Sequence, residues 1–243
     1  MDPQKLVKSL EGAVFELALW VLLLPKTLLK VLRHPVWVLA YTTGEFAKPE
    51  VDRFDDYVSP VSFWLLIAVG PYLWATSVIR HRHSPPGAAS WDPLSHLPIS
   101  SRYLITALLL VAAPLTVAVI FARIRGHSVA RRVLQPHFAA QCYLQAPALL
   151  GVMPIVVGLL FGSHAAVLEH LRGSLFVTAF GGLAVLWLLA AETRYLMRDL
   201  KISAPRAIPI AAGGLALSAL LVGILAVGAA HVLHNTHRIL PHS

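Results

Sequence analysis

Histidine is the residue type in this sequence best placed to do chemistry. His231, His234 and His237 recur at i, i+3 and i+6, a spacing that lets adjacent imidazoles share one helix face. Two of them, with a third imidazole from His81-Arg82-His83, would supply nitrogen donors suited to zinc or copper. The same groups can report pH, because an unperturbed imidazole titrates near neutrality. No cysteine or close carboxylate cluster completes a site, and neutral histidine is tolerated in external loops where lysine and arginine are selected against. Catalysis has less support still. Ser203 and Ser218 lack a plausible His/Asp arrangement, and no HExxH, phosphate-binding loop or dinucleotide glycine fingerprint occurs. The chain reads as a non-enzyme with no cofactor.

Five strongly apolar stretches must position whatever these residues do. They lie at about Val61–Ile79, Tyr103–Ala122, Ala139–Phe161, Ser174–Ala191 and Ile208–Val232, with no charged residue inside any of them. Each approaches the roughly 20 residues that a helix needs to cross about 30 Å of hydrocarbon. With 57% hydrophobic and 13% charged residues, the composition is far from that of a water-soluble domain. The expected fold is all-α: a polytopic membrane bundle of five transmembrane helices with an N-terminal interfacial amphipathic helix region. Residues 1–58 would be cytosolic or interfacial, 59–232 the membrane domain, and 233–243 a short external His-rich tail.

Basic residues give the orientation. Of the 20 lysines and arginines, fifteen fall before the first stretch or in the second and fourth connections. That bias predicts a cytoplasmic N-terminus and an external C-terminus. The net charge of +8 then serves topology and anionic lipid, and nucleic acid is not an expected partner because no aromatic-interleaved basic patch accompanies it. The expected partners are the bilayer itself and a membrane protein or further copies of the chain.

Within the apolar stretches, Pro71, Pro114, Pro147, Pro154 and Pro209 predict kinks. Gly158/Gly162, Gly181-Gly182, Gly214/Ser218 and Ala219/Gly223 offer small surfaces for close helix packing. Gln141, Cys142 and Gln145 form the most polar cluster, near the cytosolic end of the third stretch. No Asp, Glu, His or Arg sits mid-span in any stretch, which argues against an ion-coupled transporter.

Upstream, Asp2-Pro3 reads as a helix start, and Ala13–Leu24 is apolar nearly all round but too short to span. Pro25 is expected to interrupt it. Lys26, Lys30 and Arg33 alternate with Leu28, Leu29, Val31 and Leu32, the pattern of a basic helix on the cytosolic leaflet. A competing reading makes Ala13–Leu32 a sixth span. The acidic stretch Thr42–Asp56 reads as a solvated loop; its functional alternative is a docking surface for a partner or for the basic loop Arg123–Arg132.

The residues Asp55-Asp56-Tyr57-Val58-Ser59-Pro60, followed by Val-Ser-Phe-Trp-Leu-Leu, resemble the start of the Yip domain. Eukaryotic members carry an Asp-x-Tyr-x-Pro element there; Asp55 and Tyr57 match its spacing, and Pro60 comes one residue late. Cys142-Tyr143 with Pro147 resembles the family's Gly-Tyr pair and following proline, with glycine replaced by cysteine. Leu32-Arg33-His34-Pro35 resembles the segment that precedes this domain in bacterial members. The resemblance implies five spans, a cytosolic N-terminus and a general role in membrane organisation, with Asp55, Tyr57 and Pro60 as pre-span motif residues. Rab-type GTPases, partners of eukaryotic members, are not implied, because the departures fall in those motifs.

The sequence therefore points to a scaffold or partner-binding subunit, expected in a bacterial inner membrane. An uncoupled permease or channel-like protein is the first alternative, and an outer-face metal or pH sensor built on the histidines is the second.

Overall fold

The computed structural model describes residues 20–68, 99–126, 128–161 and 175–239, and every regular element among them is helical. Helices cover residues 20–33 (α1) and Trp37–Ala47 (α2), then a 3-10 turn follows at Glu50–Asp52. Helix α3 begins at residue 60 and is described to 68. Four long helices follow: Ile99–Ile124 (α4), Arg131–Phe161 (α5), Leu175–Leu200 (α6) and Ala204–Ile239 (α7).

Helix α5 is the centre of the bundle. It packs against α2, α4 and α6, while α7 closes against α4 and α6. Ala139 to Ala148 are buried without a break, so no face of α5 is open over nearly three turns. Helices α6 and α7 instead turn many large apolar residues outward and several small or polar ones inward, with Tyr195 and Leu196 of α6 also buried. The inner stripe of α7 is Ala207, Ala211, Gly214 and Ser218; Leu220, Ile224 and Leu225 are more than half exposed. In α6 the buried residues include Glu192 and Thr193, while Leu183 and Leu186 are about two-thirds exposed. Water would oppose that arrangement, because it leaves contiguous apolar surface open. Thr178–Leu200 and Ala204–Leu225 are long and apolar enough to cross a membrane, by length and composition.

Small residues set how closely the helices approach. A Cβ on Gly151 would lie 2.5 Å from the Ala184 Cβ and 3.2 Å from the Phe180 carbonyl oxygen, so α5 and α6 meet nearly backbone to backbone there. Gly214 faces the ring of Phe121 on α4, and one turn later Ser218 donates a hydrogen bond to the Ala113 carbonyl at 3.1 Å. The Gly214/Ser218 spacing thus marks a helix contact. Gly182 has open space beside it and Gly181 is buried. Residue 162 lies outside the described residues, and Gly158 falls on the helical backbone of α5.

Two local expectations need correction. Helix α1 runs through Pro25 without a break. Proline withholds the hydrogen bond that the Val21 carbonyl would receive, but Val21 and Pro25 are both exposed, so the orphaned carbonyl lies on the open side. Thr42–Asp56 is a solvated loop only in its second part, from Lys48 on. Its first part completes α2, burying Thr42 and Glu45, and the Glu45 carboxylate then folds the chain back on itself. One oxygen accepts the Phe54 amide and the other the Lys48 ammonium, each at 2.6 Å. Phe54 takes a left-handed φ of 64° to make that turn.

Candidate functional site

Two groups of residues at one end of the bundle are organised beyond what packing requires. The first joins α1 and α2 to the segment before α3. Tyr57 meets the ring of Trp37 at 4.7 Å and that of Tyr41 at 5.2 Å, edge-on in both cases. Trp37 and Tyr41 stack on each other at 4.4 Å. Lys26 lies 4.7 Å above the centre of Tyr57 and donates to the Asp56 carbonyl at 3.0 Å; Lys30 lies 5.5 Å from Trp37. Buried Thr27 donates to the Leu23 carbonyl and accepts the Val58 amide at 3.2 Å. The Val58 carbonyl in turn receives the Tyr143 hydroxyl at 2.5 Å, which ties this assembly to α5. Burial, with Glu45 nearby, raises the Tyr41 phenol above its ordinary pKa, so it stays protonated at physiological pH.

The second group is a polar ladder between α5 and α6. His137, Gln141 and Gln145 recur every fourth residue on α5, opposite Glu192, Tyr195 and Asp199 on α6. Gln145 donates to the Gln141 side-chain oxygen at 2.9 Å, and Gln141 donates to Glu192 at 3.2 Å. Glu192 is 0% exposed, and its second oxygen has no hydrogen-bond partner among the described residues. Below it, the Tyr195 hydroxyl pairs with His137 Nδ1 at 2.7 Å. Arg125, just past α4, reaches His137 Nε2 at 2.8 Å and forms an ion pair with Asp199. A guanidinium only donates, so Nε2 accepts and the ring proton sits on Nδ1, directed at Tyr195. Burial lowers the Arg125 pKa, but an arginine starts high enough to remain charged.

No family model, curated protein or solved structure matches this chain. Function is therefore read from the geometry of its own residues.

The pre-span residues divide. Tyr57 is held in the aromatic cluster, Pro60 is buried as the first residue of α3, and Asp55 is exposed. Of the expected lipid-facing cations, Lys26 and Lys30 rest on aromatic rings and Arg33 is exposed beyond them. His231, His234 and His237 fall on the helical backbone of α7; their side chains, and residues 81 and 83, lie outside the described residues. Among the described residues no group of three or more potential ligands gathers around a point.

The ladder holds an ionisable group just past the fourth apolar stretch. The apolar stretch ends at Ala191, which placed Glu192 in a connection, but α6 continues to Leu200 and carries Glu192 inside the bundle. Gln141 and Gln145 were visible as a polar pair. Their partners were not, because nothing in the sequence states which helix faces which.

Proposed function

We propose that the chain is a non-enzymatic, five-span integral membrane protein of the Yip-like type, with a cytosolic N-terminus and an external C-terminus. It acts as a scaffold or partner-binding subunit of a membrane assembly in a bacterial inner membrane. The observation that carries this reading is the rigid mounting of an acidic rim. Tyr57, Trp37, Tyr41 and Tyr143 anchor the segment, while Glu50, Asp52, Asp55 and Asp56 stay exposed on it, as does Val51, 90% exposed. An anchored segment that exposes four carboxylates and an apolar side chain suits a protein partner with a basic surface. Span count and orientation are supported by the five apolar stretches, the outward-facing leucines of α6 and α7, and the basic bias.

The test is purification of the intact chain in native nanodiscs, with mass spectrometry of stoichiometric companions. Asp52→Lys/Asp55→Lys should lose the companion while the bundle stays folded. A chain that purifies alone, or a companion indifferent to that charge reversal, would end the scaffold reading.

Glu192 favours a second reading, a permease. An intramembrane carboxyl facing a bundle interior is a common element of coupled transport. In that case flux into liposomes should depend on Glu192 and be lost in Glu192→Gln.

A further inference from the structure

A groove of about 500 Å³ opens between the C-terminal ends of α1 and α6. Lys30, Arg33 and His34 line one side, Arg194 and Arg198 the other, and Trp37 lies between them. No carboxylate lines it. A cation near a helix C-terminus is ordinarily explained by the helix dipole, and that would account for each residue singly. It does not account for four permanent charges and an imidazole converging on one cavity, where they repel each other across a common space. The two sides are also held in register, since the Trp187 indole on α6 donates to the Leu32 carbonyl on α1 at 3.3 Å. Asp199, the nearest acid in sequence, is already paired with Arg125.

We infer that this groove is a binding site for a phosphate-bearing anion. Arg194 and Arg198, one helical turn apart, present two planar forks that can grip phosphate oxygens bidentately. Lys30, Arg33 and His34 close on the anion from α1. The groove lies at the end of the candidate span Thr178–Leu200, beside the tryptophans Trp37 and Trp187, where lipid phosphates reside. The same chemistry fits a soluble phosphate compound. This site is independent of the acidic rim on which the scaffold reading rests.

The intact chain in detergent allows both sources to be tested. Native mass spectrometry would count retained phosphatidylglycerol against phosphatidylcholine, and thermal unfolding would be followed with inorganic pyrophosphate against chloride at equal ionic strength. Arg194→Gln/Arg198→Gln removes the forks from exposed positions, Arg194→Lys/Arg198→Lys keeps the charge, and Arg131→Gln/Arg132→Gln is the control on the exposed start of α5. Selective retention of phosphatidylglycerol, reduced on the order of thirtyfold in the Gln pair and largely kept in the Lys pair, assigns the site to a lipid headgroup. Stabilisation by pyrophosphate with the same variant dependence assigns it to a soluble phosphate. Absence of both effects, or an equal loss in the control pair, overturns the inference.

Discussion

Arg125 links three helices through one guanidinium: it follows the last residue of α4, pairs with Asp199 on α6 and donates to His137 on α5. Both partners of the ion pair are mostly buried, with side-chain exposures of 17% and 6%. Removing one charge would leave the other stranded, which costs far more than breaking a surface pair. Arg125→Ala should therefore destabilise the protein by about 3 kcal/mol, and Arg125→Ala/Asp199→Ala should recover part of that loss. Additive effects of the two single changes would show that the pair does not couple. Cys142, the chain's one thiol, provides a second readout from within α5. It is 0% exposed, so maleimide should label it slowly in the native protein and much faster once Arg125→Ala loosens α5 from α6. Rapid labelling of the unaltered protein would contradict the packing of α5.

Helix separation is set by the smallest residues, and Gly151 provides the sharpest test. Its absent side chain leaves space that the Ala184 methyl occupies, so Gly151→Ala must push α5 and α6 apart. A loss of about 1–3 kcal/mol follows, and Ala184→Gly in the same chain should restore most of it. A single change that leaves thermal stability untouched would mean the helices are not in contact at this level. That glycine carries no signal in the sequence, where Gly158/Gly162 has the better-known spacing. What the sequence does convey is where apolar runs lie, and α4, α5, α6 and α7 sit over four of them. It conveys helix ends poorly for a physical reason: a helix has no need to stop where hydrocarbon stops. α6 passes Ala191 by nine residues and α5 begins eight before Ala139, and those extensions hold Glu192, Tyr195, Asp199 and His137. Tyr57 was legible as part of a motif. Its seat against the edges of Trp37 and Tyr41 required α2, whose second half lies in a region that composition alone presents as an acidic loop.

At the scale of the molecule, three chain segments far apart in sequence bring their basic residues to one end of the bundle. Lys30 and Arg33 come from the N-terminal region, Arg125 from the connection after α4, and Arg194 and Arg198 from the end of α6. These are the segments that charge counting assigns to the cytosol, so packing and the positive-inside bias point the same way. A fold with these segments on one side and five crossings must place its two termini on opposite sides. Alkaline phosphatase, which is active only outside the cytoplasm, should be active when fused after Ser243 and inactive when fused after Ser128. The N-terminus decides between five spans and six. If Ala13–Leu32 crossed the membrane, the same reporter on the N-terminus would lie outside, whereas an interfacial α1 keeps it inside. The seats of Lys26 and Lys30 on Tyr57 and Trp37 favour the inside result, because two cations held on one helix face by aromatic rings suit an interfacial α1 better than a span. An external N-terminus would remove the five-span count, while the acidic rim, which follows Leu32, would stay on the cytosolic side.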